Sequence, residues 1–213
     1  METKETVIYL VRHGQSIGNL NRWILGHTDL DLTDVGYSQA EKCAEYMKEI
    51  KVDKIYASDL KRAYNTAMPH AKLRTLTPIL TRELRELYFG DWDGVPVSDV
   101  SDSEMFISAW KNNFGTFKSP GGESVRHLAS RVYNYILSIA SENPGKSLMF
   151  VFHAAAIRAF WGRVSGIPCE VLAEKLPFPL NASVSVLHFK NGMFYPVMYS
   201  DASFLEEKPI PLF

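Results

Sequence analysis

Two histidines and an arginine stand where a buried core would not choose them. Arg12-His13-Gly14 directly follows the apolar run Val7–Val11, and His153 directly follows the apolar run Leu148–Phe152. Runs this short, apolar throughout and rich in β-formers, predict strands covered on both faces, as in a parallel sheet. In open sheets of that kind, ligands bind beyond the carboxyl ends of the strands. A guanidinium there can hold oxyanions through paired hydrogen bonds, and imidazoles can attack or move protons. Taken singly, a histidine after a strand reads as well as a satisfied structural residue. Its repetition on two such strands points to a site.

The elements that must position these residues can be read from the pattern. Thr33 is a helix cap, followed by an apolar stripe of Tyr37, Ala40, Ala44, Met47 and Ile50. Lys54–Ala57 reads as a strand, and Ser58 as the cap of a helix with Asp59 in its first turn and Pro69 at its end. Leu76–Leu80 reads as a further strand. Leu128, Val132, Tyr135, Ile136 and Ile139 mark a long amphipathic helix closed by Pro144-Gly145. Another helix starts near Ala155. Ser183–Phe189 and Met193–Tyr199 flank an Asn191-Gly192 turn and predict a hairpin. Strands alternating with helices predict an α/β fold, a three-layer sandwich with a mostly parallel central sheet and helices on both faces. The Gly- and Pro-rich stretch at about 88–127, with a short helix around 103–113, reads as a rim insertion in a single domain spanning 1–213.

Composition narrows the function classes. The 213 residues are 46% hydrophobic and 22% charged, an ordinary balance for a soluble globular chain. Lys and Arg number 23 against 24 Asp and Glu, a net charge of -1. That argues against a bulk nucleic-acid binder. The start lacks the basic, then long apolar pattern of a signal peptide. Leu148–Trp161 is broken by His153 and Arg158, so it falls short of the roughly 20 apolar residues of a membrane span. The expectation is a cytoplasmic protein without a membrane partner. Cys43 and Cys169 read as reduced thiols. The six histidines lack ligand spacing, so neither metal nor other cofactor is expected.

The same residues sit in a longer series of blocks. Arg12-His13-Gly14 continues with Gln15-Ser16 and Asn19. Gly26 to Thr33, Gly36 and Gln39-Ala40 come next, then Ser58-Asp-Leu-Lys-Arg62-Ala63 with Thr66-Ala67. Leu84-Arg-Glu86, Gly90, Trp92-Asp-Gly94, Pro120-Gly-Gly-Glu-Ser124 and His153 complete the order. This series resembles the histidine phosphatase superfamily, the phosphoglycerate-mutase-like proteins. It departs from the family pattern at Ala154, where glycine is usual and where alanine tolerates a positive φ poorly.

The resemblance implies hydrolysis of a small phosphorylated metabolite, a phosphomonoester, without metal. His13 would be the nucleophile, forming a phosphohistidine. Arg12, Arg62, Asn19, His153 and the backbone near Ala154 would hold the phosphoryl oxygens. Gly14 would let the backbone approach the ligand. Glu86 would be general acid and base, its pKa raised by Leu84, Leu87, Tyr88 and Phe89, with Glu83 and Asp91 as rivals. Trp23, Gly26, His27, Tyr88 and Trp110 are the expected substrate rim. Phe106, Trp110 and Phe114 either line a leaving-group pocket or pack the insertion onto the domain. The alternatives are a phosphoglycerate-mutase-type phosphotransferase and an inactive phospho-ligand-binding module. The mutase is disfavoured by the chain's length and by Gly26-His27-Thr28, where mutases have Gly-Trp. The hairpin offers an edge strand for a homodimer.

Overall fold

The computed structural model describes residues 4–104, 106–107 and 114–206. Six strands form one sheet: β1 (Thr6–Arg12), β2 (Lys54–Ser58), β3 (Ile79–Thr81), β4 (Ser147–Phe152), β5 (Val184–Lys190) and β6 (Met193–Asp201). Their order is β3-β2-β4-β1-β5-β6, with β1 to β4 parallel and the last two strands antiparallel. The helices are α1 (Ile17–Leu20), α2 (Asp34–Tyr46), α3 (Lys61–Arg74), α4 (Val125–Glu142), α5 (Ala154–Val164) and α6 (Leu172–Lys175).

The period of two along each strand divides the core between two faces. On β4, Leu148, Phe150 and Phe152 join Leu128, Val132 and Ile136 of α4 and Ile157 and Phe160 of α5. The intervening Met149 and Val151 join Cys43 of α2 and Ala67 and Ala71 of α3. Helices therefore cover both faces of the sheet, the three-layer arrangement expected of two fully apolar central strands. Among the described residues, no helix is long and apolar enough to cross a membrane.

Several local expectations change. Ser58 does not cap α3; it ends β2, and the helix starts at Lys61 with Leu60 at the cap position. The Lys61 N–H is taken instead by Asp29 (2.8 Å). Asp59 stands outside the helix and pairs with Arg85 through two bonds of 2.7 Å. Pro69 lies within α3 rather than at its end. The helix runs on because His70 and Ala71 pack into the interior and Arg74 ties its last turn to the carbonyls of Met47 and Ile50. Tyr37 is exposed and leaves the α2 stripe, its hydroxyl bonding Asp31 (3.1 Å). The third strand is shorter than Leu76–Leu80 and shifted to 79–81. The Asn191-Gly192 turn forms as expected, with φ of 53° and 79°.

The described residues of the segment 88–127 include short 3-10 turns at Gly90–Trp92, Val97–Asp99 and Phe114–Thr116, and α4 begins inside its end, capped by Ser124; most of the short helix expected around 103–113 lies outside the described residues. Phe106, Phe114 and Phe117 are buried in the core cluster. Of the two readings of these aromatics, the structure gives packing of the insertion against the sheet and α4. Trp110 lies outside the described residues.

Candidate active site

The parallel register of β1 and β4 brings the two histidines together. Arg12 lies opposite Phe152, so His13 and His153 leave adjacent strands side by side. The His13 N–H donates to the Phe152 carbonyl (3.0 Å), and the two rings are 5.2 Å apart. His13 Nδ1 is 2.7 Å from the Gly14 carbonyl oxygen. A carbonyl can only accept, so Nδ1 carries the proton and Nε2 keeps its lone pair. Burial, then the charges of Arg62 and Arg12, hold the His13 pKa well below its usual value. His13 is therefore neutral at pH 7. Gly14 has a different role from the one expected. A Cβ there would lie 2.4 Å from the Gly36 carbonyl oxygen, so its missing side chain admits the α2 backbone rather than a ligand.

Arg12, at the end of β1, and Arg62, in the first turn of α3, are both almost fully buried. Arg12 donates to the Pro179 carbonyl (2.6 Å). Arg62 donates to the carbonyls of Gly26 (2.7 Å) and Thr28 (3.0 Å). Burial lowers both guanidiniums to about 10, so both stay charged at neutral pH. Neither forms an ion pair among the described residues. The Nε of each, and His153 Nδ1, have no hydrogen-bond partner among the described residues. His153 Nε2 is 2.8 Å from the Ser58 hydroxyl. Burial, then Arg62, keeps this ring neutral as well. Asn19 turns its Oδ1 to Ser16 and Asn181. An arrangement of two unpaired guanidiniums, two neutral imidazoles and an amide is suited to an anion with several oxygens.

Glu86 lies across this cluster, nearly buried. Its Oε1 accepts the N–H groups of Leu87 (2.9 Å) and Ala156 (3.0 Å), and among the described residues its Oε2 accepts that of Ala155 alone (3.0 Å). Desolvation raises its pKa against these bonds and against Arg62. Of the neighbours expected to desolvate it, Leu84, Leu87 and Phe89 are buried, whereas Tyr88 is 40% exposed. Glu83 and Asp91 are exposed. The first amides of α5 therefore hold Glu86, with Ala154 one position before those used. Ala154 is absent from the residues with positive φ, so alanine fits the backbone there.

A superfamily model, histidine phosphatase branch 1, matches residues 8–202. The chain belongs to the histidine phosphatase superfamily. Within it, the chain is similar to phosphoglycerate mutase-like protein 4 of Arabidopsis thaliana, 34% identical over 205 residues, 94% of this chain and 87% of that protein. It is 33% identical over 209 residues to the metal-independent phosphoserine phosphatase of the same plant, covering 96% and 85% of the two chains. The solved structure of a mycobacterial glucosyl-3-phosphoglycerate phosphatase superimposes with a TM-score of 0.84 at 25% identity, covering 92% and 99%.

Two of the expected rim residues of this superfamily member, His27 and Tyr88, line an open pocket of about 480 Å³ together with Arg82, Glu83, Arg85, Gly122, Glu123, His127 and Arg131. The His27 and Tyr88 rings pack at a tilt, 4.9 Å between centres, and His27 Nε2 meets the Glu86 carbonyl (3.1 Å). Trp23 is not part of this lining; it bridges to Pro96 at the base of the insertion. Gly26 carries the carbonyl that holds Arg62, and a Cβ there would lie 2.4 Å from the Leu87 carbonyl oxygen. Sequence reasoning missed the residues that hold the charged ones in place. Asp93 accepts the N–H groups of Gly26, His27 and Thr28. Arg131 gathers the carbonyls of Glu83 (2.7 Å) and Arg85 (3.1 Å). Asn181 bonds the His13 carbonyl, and Ser58 bonds His153. Asp93 falls inside the Trp92-Asp-Gly94 block, but its spacing gives no sign of a turn held by one carboxylate.

Proposed function

We propose that this protein hydrolyses small phosphomonoesters through a phosphohistidine on His13. The observation that carries the reading is the state of His13: a neutral ring, tied at Nδ1, with its Nε2 left as the lone-pair nitrogen beside two buried guanidiniums that form no ion pair among the described residues. The phosphatase names of two similar proteins support it.

In this mechanism the Nε2 lone pair forms a bond to phosphorus while the ester P–O bond breaks. Arg12, Arg62, His153 and the Asn19 amide neutralise the three equatorial oxygens. Glu86 gives its proton to the leaving alkoxide. Oε1 already accepts two N–H bonds and Oε2 one, so Oε2 has the spare lone pair that carries this proton. The resulting carboxylate then takes a proton from water, whose oxygen displaces His13 from phosphorus and releases inorganic phosphate. In this reading His153 is the Nδ1–H tautomer, with Nε2 accepting from the Ser58 hydroxyl at 2.8 Å and Nδ1–H, unpartnered among the described residues, turned to the anion. The two guanidiniums supply the positive charge that a metal ion gives in other phosphoryl transfers. The rim, with charges of both signs, suits a small polar leaving group.

Phosphate release from a panel of phosphomonoesters, with and without a chelator, tests this reading. We expect chelator-resistant release that His13→Ala abolishes, with 32P trapped on His13 in rapid-quench samples. Isomerisation dependent on a bisphosphoglycerate would identify a mutase instead. Phosphate binding without turnover would identify a binding module.

A further inference from the structure

We propose that Asn181 is a positioning residue for phosphoryl transfer, holding the Asn19 amide in place so that its NH2 edge meets the phosphate. The proposal rests on the phosphatase reading above and adds to it a residue 162 positions away from the one it directs.

Asn181 is buried just before β5. Its Nδ2 donates to the His13 carbonyl at 3.1 Å and to Asn19 Oδ1 at 3.2 Å, one acceptor for each of its two protons. The orientation of both amides is forced by backbone groups. A carbonyl oxygen can only accept, so the Asn181 atom facing His13 is nitrogen. The Ser16 N–H can only donate, and it meets Asn19 at 3.1 Å, so the Asn19 atom facing it is oxygen. That oxygen also receives the Ser16 hydroxyl at 3.0 Å. With three donors gathered on Oδ1, the Asn19 NH2 group is turned to the opposite side, where it can donate to an anion.

The Ser16 contacts are local, part of the cap of the short, partly exposed helix α1. Among the described residues, Asn181 connects the Asn19 side chain to the buried strand layer and to the nucleophile's own backbone. The chain accepts strain to make this connection: Ala182 has φ of 53°, a left-handed conformation that an alanine adopts only under constraint. That turn places the Ala182 N–H on the His13 carbonyl as well, at 3.2 Å. His13 therefore keeps a donor when the Asn181 side chain is removed, and the loss falls on Asn19.

A double-mutant cycle tests this. Wild type, Asn19→Ala, Asn181→Ala and the double variant are compared by kcat and KM on an aryl phosphate and by Ki for inorganic phosphate. Each single substitution should raise KM and the phosphate Ki about tenfold, the scale of one hydrogen bond to a charged group. In the Asn19→Ala background, Asn181→Ala should add less than about twofold. An equal factor in both backgrounds would overturn the proposal, because a merely structural role is blind to residue 19. Asn181→Ser, which retains one donor, runs the same cycle should Asn181→Ala fail to fold. Asn181→Asp sets a carboxylate against two acceptors and should cost more than Asn181→Ala, a difference that shrinks in the Asn19→Ala background. A wild type without saturable phosphate binding would sink the phosphatase reading itself, which separates that failure from this one.

Discussion

The floor of the site and its rim are both rich in arginine, and they hold it in opposite ways. On the floor, Arg12 and Arg62 are held by carbonyl oxygens, those of Pro179, Gly26 and Thr28. On the rim, Arg85 is paired with Asp59 and Arg131 with Glu123. A carbonyl fixes a guanidinium without cancelling its charge, whereas a carboxylate fixes it and cancels it. The floor is thus charged before any ligand arrives, and an anion that enters supplies the missing counter-charge. The rim is already neutral, so its cations serve mainly to shape the walls. Desolvating two uncompensated cations costs stability, and functional sites are where such costs are found.

The largest expected effect exposes that difference directly. Arg62→Lys keeps the charge but loses the fork that spans the carbonyls of Gly26 and Thr28. Loss of two charge-assisted bonds should lower kcat/KM about 100- to 1,000-fold. Arg82→Lys on the rim, at an 82% exposed side chain, should change it less than about threefold. Similar losses at both positions in a steady-state assay would erase the distinction between floor and rim.

Glu86→Gln comes next. The carboxyl has a raised pKa, so it is protonated up to a higher pH than an ordinary glutamate. As pH rises through that value the acid is lost, so kcat for alkyl phosphates should fall on the alkaline side. His13 is depressed and stays neutral through this range, adding no limb of its own. Glu86→Gln should cost about 100-fold on alkyl phosphates and remove the alkaline limb. Aryl phosphates, whose leaving groups need no acid, should lose far less. An equal loss on both substrate classes would assign Glu86 a structural role.

The floor is legible in the sequence because strand ends announce it. Val7–Val11 and Leu148–Phe152 are unmistakable buried strands, and the residues after each strand can only emerge at one edge of a parallel sheet. Ser58 misled for a physical reason: a serine before a helical stretch has the features of a cap, and only the fold shows its hydroxyl facing His153. Asn181, Asp93 and Arg131 act through hydrogen bonds across 45 to 168 positions, and no local spacing records such distances. The rim is half legible. His27 and Tyr88 line it, while Trp23 is used to fasten the insertion.

The smallest expected effect on catalysis comes from a histidine outside both regions. His70 is fully buried in α3, and neither of its ring nitrogens has a partner among the described residues. Burial pushes its pKa down to about 3. The unfolded chain binds a proton there near the ordinary value of about 6.5, and the native state does not. Protonation thus favours unfolding, and stability is lost as pH falls below that unfolded value. His70→Leu removes one such proton and two orphaned polar atoms at similar volume. Urea unfolding at pH 7 and pH 5 should show the variant losing about 2 kcal/mol less than wild type between the two. Its kcat/KM at pH 7 should stay within about twofold of wild type, since hydrogen bonding and charge at the floor are untouched. A variant with the wild-type pH slope would show that His70 finds a proton partner in the folded protein. The expected slope would instead set site histidines held neutral by burial beside Arg62 and Arg12 against a structural one held neutral by burial beside Arg74.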